Sequence, residues 1–215
     1  MLNTKLKIKV CGMRDPANIQ AVSALPVDFM GFIFYAKSPR FVPHKPAYMP
    51  QHIQKVGVFV NENVETIIDT VQAYELQMVQ LHGDEAPATV QQLKAHGLHI
   101  IKAFGIDDAF NWDTLTPYVP FTDFFLFDTK SNAYGGTGIT FNWDKLKSYP
   151  LETPYFLSGG LALTNVKDAL DFAHHDARLY ALDLNSKFES EPGIKNIQSL
   201  ANAFTIVQNE QISSR

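Results

Sequence analysis

A single cysteine, Cys11, ends a short apolar run two residues after Lys9, and Asp128 ends the run Phe124-Phe125-Leu126-Phe127. A thiol and a carboxyl group are side chains suited to moving protons. A thiol with a pKa near about 8.5 needs a neighbouring cation or backbone donors to act as a base near neutrality. Lys9 lies on the same side of an extended strand as Cys11, so its ammonium is expected to favour the thiolate. Desolvation by the flanking aromatic rings is expected to raise the Asp128 carboxyl, so that it holds a proton and acts as an acid. Such a pair would remove a proton at one atom and deliver one at another. Each residue also has a purely structural reading: Cys11 as a small core side chain, and Asp128 as a loop carboxylate bonding the backbone of Thr129 or Lys130.

Other residues suit an anionic guest. Glycines let backbone N–H groups approach a phosphate. Two clusters occur late in the chain, Gly135-Gly136-Thr137-Gly138 and Ser158-Gly159-Gly160, followed by Asn185-Ser186. Gly136, Gly138, Gly159, Gly160, Asn185 and Ser186 are accordingly the candidate phosphate-binding residues, although Gly-Gly alone is also a plain turn. Arg40, in the proline-stiffened segment Lys37-Ser38-Pro39-Arg40, could hold a carboxylate through a planar two-point contact or simply be solvated. His82 either lines the same pocket or is a hydrogen-bonded structural histidine. The remaining histidines, including His174-His175, have no metal-like set of partners and read as surface.

Eight β-rich runs must position these groups: Leu6–Cys11, Asp28–Phe34, Gln54–Val60, Met78–His82, His99–Phe104, Phe124–Asp128, Pro154–Leu157 and Leu179–Leu184. They start about 21 to 30 residues apart, which suits a strand plus a crossover helix and is too far for hairpins. Helical periodicity is expected over Asn63–Tyr74, Ala86–His96, Asn165–Ala173 and Ile194–Val207, with Asn61, Asp84 and Thr164 as capping residues. Eight strand–helix units without a linker predict a parallel (β/α)8 barrel, a single domain spanning residues 1–215, with an open doubly wound sheet as the alternative. In a barrel the carboxyl ends of all strands meet on one face, and with them Cys11, Arg40, His82, Asp128, Gly159 and Asp183.

Composition narrows the function. The chain has 215 residues, 46% hydrophobic and 19% charged, enough apolar material for a large core. Its 18 Lys plus Arg against 22 Asp plus Glu leave a net charge of -4 with no basic stripe, which argues against nucleic-acid binding. The longest apolar stretch, near Phe29–Ala36, is far short of the roughly 18 to 20 residues that span a bilayer. Lys5, Lys7 and Lys9 interrupt the first ten residues, so no secretory signal is read and a cytoplasmic location is expected. One cysteine excludes an internal disulfide and a cysteine-based zinc site.

Taken in order, several segments resemble the phosphoribosylanthranilate isomerase family of tryptophan biosynthesis. They are Lys9-Val10-Cys11-Gly12-Met13, Gly31-Phe32-Ile33-Phe34-Tyr35 with Lys37-Ser38-Pro39-Arg40, Val56-Gly57-Val58-Phe59-Val60-Asn61, and Val79-Gln80-Leu81-His82-Gly83-Asp84-Glu85. Asp128-Thr129, Gly135-Gly136-Thr137-Gly138, Ser158-Gly159-Gly160-Leu161 and Asp183-Leu184-Asn185-Ser186 follow, with Glu189 and Pro192-Gly193. The resemblance covers essentially the whole chain. It implies an Amadori rearrangement of a phosphorylated aminosugar without metal or cofactor. Asp128 would be the acid, Cys11 the base and Arg40 the anthranilate-carboxylate ligand, with His82 and Asp183 in the pocket. It implies a small-molecule substrate and a monomer or homodimer.

The segment Ser186-Lys187-Phe188-Glu189 departs from the Ser-Gly-Val-Glu common in the family. A lysine in place of glycine limits positive φ and adds a cation near the phosphate loop. Two other readings stay open: another sugar-phosphate isomerase or lyase on this barrel, including the related enzyme of histidine biosynthesis, although that enzyme uses a pair of aspartates and Cys11 argues against it; and a barrel that binds a phosphorylated ligand without catalysis.

Overall fold

The computed structural model describes residues 6–129 and 142–213. Eight parallel strands close into a barrel in chain order: β1 (Lys7–Val10), β2 (Phe29–Ile33), β3 (Gln54–Phe59), β4 (Met78–Leu81), β5 (His99–Ile106), β6 (Phe124–Thr129), β7 (Tyr155–Leu157) and β8 (Leu179–Leu184). β8 returns to β1 with Lys9 opposite Asp183, so the doubly wound alternative is excluded. Strand alternation divides the apolar residues into two sets. Phe29, Val56, Met78, Ile101, Ala103, Leu126, Phe156 and Ala181 fill the barrel, and the other set packs between the sheet and the surrounding helices. Because both faces are covered, the strands read as near-continuous apolar runs.

The surrounding α-helices are α1 (Pro16–Ser23), α2 (Val64–Tyr74), α3 (Pro87–Ala95), α4 (Val166–Ala173) and α5 (Ile197–Ser213). The eight-unit pattern implied an α-helix in every crossover, and among the described residues three crossovers contain none. Between β2 and β3 there is no helix; Pro39, Pro43, Pro46 and Pro50 fall there and remove donors that a helix would need. The β5–β6 connection is a 3-10 segment, Trp112–Phe121, containing Pro117 and Pro120, and the β6–β7 connection includes another, Trp143–Ser148.

The expected caps are displaced as well. Asn63, not Asn61, caps α2, its Oδ1 accepting Thr66 N at 2.8 Å. Asn61 instead takes a left-handed φ of 52° and accepts Asp84 N at 2.7 Å. α3 starts at a proline after Ala86 with no side-chain cap, and Asn165 rather than Thr164 stands at the start of α4. The segment expected to begin a helix at Ile194 first makes a hairpin: β9 (Glu189–Glu191) pairs antiparallel with β10 (Ile194–Lys195) around Pro192-Gly193, and α5 follows. Gly193 has φ 88°, which a helix start at Ile194 did not anticipate. Among the described residues no helix is long and apolar enough to cross a membrane.

Candidate active site

The carboxyl ends of the strands surround a cleft with about 810 Å³ of empty space. Cys11 from the end of β1, Asp128 from β6 and Asp183 from β8 line it, with Arg40 from the loop after β2 and His82 after β4. Gly159 and Gly160 after β7, and Asn185 and Ser186 after β8, form its remaining polar wall. The residues read from sequence are thus brought together, apart from Gly136 and Gly138, which lie outside the described residues.

Cys11 is 4% exposed, and its backbone N–H is held by Leu184 O at 2.9 Å. Its Sγ rests on Gly31, where an added methyl would stand 2.6 Å from the sulfur, so the thiol needs glycine beside it. Lys9 is fully buried on the same inner face and donates to Asp183 Oδ2 at 2.9 Å. Burial pushes the Cys11 thiol up, the Lys9 ammonium opposes this, the Asp183 carboxylate adds to the rise, and the net direction is upward. The sequence expectation that Lys9 would favour the thiolate holds in sign, but desolvation outweighs it and Lys9 is shared with a carboxylate. Asp183 is itself raised by burial against the pull of Lys9. Its Oδ1 is buried in the cleft wall without a hydrogen-bond partner among the described residues.

Asp128 is half-buried. Oδ1 accepts Thr129 N at 2.8 Å, while Oδ2 lies 3.6 Å from His82 Nε2. One oxygen thus bonds the backbone of the turn, and the other stands toward His82 in the wall of the cleft. Gln80, buried on β4, brings its amide nitrogen within 2.9 Å of His82 Nδ1. With the amide so oriented, Nδ1 accepts and the ring carries its proton on Nε2, toward Asp128. Gln80 was not singled out from sequence. Its position two residues before His82 on one strand face was the available signal.

Arg40 is 9% exposed and far from a solvated surface arginine. Glu189 of β9 accepts its Nε at 2.9 Å on Oε1 and at 3.0 Å on Oε2, and its Nη2 at 2.7 Å on Oε2. Lys195 of β10, buried and missed by sequence reasoning, donates to Glu189 Oε1 at 2.5 Å and to Asn185 Oδ1 at 2.7 Å. Gly159 and Gly160 take φ of 87° and 66°, left-handed values that favour glycine. Lys187, in the segment that departs from the common pattern, is exposed and is not among the positive-φ residues. Its replacement of glycine therefore places no strain on the turn. Among the described residues no group of three or more His, Cys, Asp or Glu side chains is arranged to hold a metal ion.

A closed (β/α)8 barrel with a thiol, a carboxyl group, a guanidinium and glycine-rich turns at the carboxyl ends of its strands is an architecture for small phosphorylated substrates. Residues 8–206 match the family model described as N-(5'phosphoribosyl)anthranilate (PRA) isomerase, and the chain belongs to that family. The N-(5'-phosphoribosyl)anthranilate isomerase of Phocaeicola vulgatus is 44% identical over 189 residues, covering 88% of this chain and 91% of that protein. The crystal structure of phosphoribosyl anthranilate isomerase from Thermus thermophilus superposes with a TM-score of 0.81 at 25% identity, covering 95% of this chain and 99% of that one. A phosphoribosyl anthranilate isomerase in complex with reduced 1-(o-carboxyphenylamino)-1-deoxyribulose 5-phosphate gives a TM-score of 0.79 at 28% identity, again covering 95% and 99%.

Proposed function

We propose that the protein converts N-(5-phosphoribosyl)anthranilate to 1-(2-carboxyphenylamino)-1-deoxyribulose 5-phosphate in tryptophan biosynthesis, by an Amadori rearrangement run by its own side chains. Asp128 protonates the furanose ring oxygen, the C1′–O bond breaks, and the anthranilate nitrogen lone pair forms a protonated Schiff base at C1′. Cys11 as thiolate then removes the C2′ proton. The electron pair moves toward nitrogen and gives an enol, which tautomerises to the C2′ ketone. Arg40 holds the anthranilate carboxylate; Gly136, Gly138, Gly159, Gly160, Asn185 and Ser186 hold the phosphate; His82 and Asp183 contact the sugar. The cytoplasm is the expected site of action.

The observation that carries this reading is the convergence of Cys11 and Asp128, from β1 and β6, on one cleft in a chain of this family. The histidine-pathway alternative loses support from the same cleft, because the position available for a first aspartate is a buried thiol. The test is a coupled fluorescence assay on the parent, Cys11→Ala and Asp128→Asn. A positioned acid or base contributes roughly 10² to 10⁴-fold, so each variant should lose about 10²-fold or more in kcat. Full activity in either variant removes the mechanism, and no turnover by the parent removes the function.

A further inference from the structure

Glu189 makes no contact that the proposed reaction requires, yet its carboxylate is buried between two cations. Arg40 lies on one side, on both oxygens, and Lys195 on the other, with Gly193 N also donating to Oε1 at 3.2 Å. The three side chains are 11%, 0% and 4% exposed for Arg40, Lys195 and Glu189. Burial acts to raise the Glu189 carboxyl, but the bonds from Arg40 and the charge of Lys195 outweigh it and leave the group below its ordinary value. It is ionised at neutral pH.

The geometry at Arg40 follows from the number of its donors. A guanidinium has five N–H groups in one plane. Nε and one hydrogen of Nη2 point to Glu189, which fixes that plane and leaves Nη1 and the outer hydrogen of Nη2 as a single edge. Such an edge matches the two oxygens of a carboxylate. The room for this arrangement comes from Gly12, where an added methyl would stand 2.6 Å from Arg40 Cδ. An arginine already held in its binding orientation loses less side-chain entropy when the ligand arrives. Lys195 braces the carboxylate from below, and its own backbone is fixed by Asn18 of α1, which donates to Lys195 O at 2.9 Å and accepts Lys195 N at 2.8 Å.

We propose that Glu189, braced by Lys195, is a positioning residue that presents one edge of Arg40 to the ligand and so sets the preference for aryl amines bearing an ortho carboxylate. This rests on reading Arg40 as the carboxylate ligand. The experiment compares kcat and KM on the N-(5-phosphoribosyl) derivatives of anthranilate and of aniline, which differ only in the carboxylate. The proteins are the parent, Arg40→Met, Glu189→Gln, and the double variant Glu189→Gln/Lys195→Met. The double variant removes one buried charge of each sign, which preserves charge balance if the single substitution folds poorly.

Arg40→Met should abolish the preference for the anthranilate derivative. Both Glu189 variants should reduce that preference by roughly tenfold or more, chiefly through KM, with a smaller loss on the aniline derivative. A preference that survives Arg40→Met overturns the carboxylate reading and the proposal with it. If Arg40→Met abolishes the preference while both Glu189 variants retain it, or lose the two substrates equally, the positioning role alone is overturned.

Discussion

Replacing Gly159 by alanine perturbs Asp128 without touching it chemically. A Cβ at Gly159 would lie 2.5 Å from Thr129 Oγ1, 2.6 Å from Thr129 N and 2.8 Å from Asp128 Oδ1. Bringing the backbone contact from 2.6 Å to an ordinary 3.4 Å requires a shift of about 0.8 Å, and Thr129 N is the donor that holds Asp128 Oδ1. A misplacement near 1 Å in a catalytic group costs on the order of 10²-fold, so Gly159→Ala should lose about that much in kcat. The positive φ of 87° adds strain of about 1 to 3 kcal/mol, which lowers the melting temperature by a few degrees. Gly97 supplies the control. It has φ 77° and nothing within 4 Å of where a methyl would stand, so Gly97→Ala carries the strain without the displacement. Steady-state fluorescence kinetics and thermal unfolding on both variants separate the effects. The reasoning is refuted if Gly159→Ala retains kcat within about threefold of the parent, or if Gly97→Ala loses as much activity as Gly159→Ala.

Asp183→Asn removes the carboxylate that competes with Cys11 for Lys9 and that pushes the thiol up. Iodoacetamide should then alkylate Cys11 faster at pH 7, by roughly tenfold for each pH unit by which the thiol falls; an unchanged or slower rate contradicts the assigned sign. Burial tends to raise Asp176, but its bonds to Arg178 at 2.7 and 2.9 Å and from Tyr155 Oη at 2.9 Å outweigh this and hold it below the usual range. The folded value lies below the unfolded one of about 3.9, so the stability this carboxylate contributes is present above that pH and is lost as pH falls through the folded value. Asp176→Asn should therefore be less stable than the parent at pH 7 in urea titrations, with the gap closing in acid; a constant gap down to about pH 2 would exclude this assignment.

Sequence reading located the eight strands because both their faces are covered, which leaves apolar runs bounded by polar strand ends. It also placed Lys9 and Cys11 on the same side of their strand, since a period of two needs no tertiary information, while the closed barrel shows that side to be the inner one. It misjudged the connections. Pro117 and Pro120 exclude a regular α-helix over Trp112–Phe121, and the four prolines between Pro39 and Pro50 do the same after β2, although both sets are plain in the sequence. The electrostatic balance at Cys11 was not legible, because burial and the Asp183 charge depend on which strand closes onto β1. Lys195 was hidden for a related reason. It follows β8 by eleven residues and was absorbed into an expected helix, whereas the Pro192-Gly193 turn before it was a sign of the hairpin that carries it inward.

The bond between Lys9 and Asp183 joins the first and last strands of the cylinder, so the join that seals the fold is also the floor beneath the thiol. A chain emerging from the ribosome can build β1 to β7 and still have neither the partner of Lys9 nor the brace of Arg40, because Asp183, Glu189 and Lys195 are translated late. The surroundings of the thiol are therefore complete only when β8 has joined β1, and those of Arg40 only when the hairpin after β8 has formed.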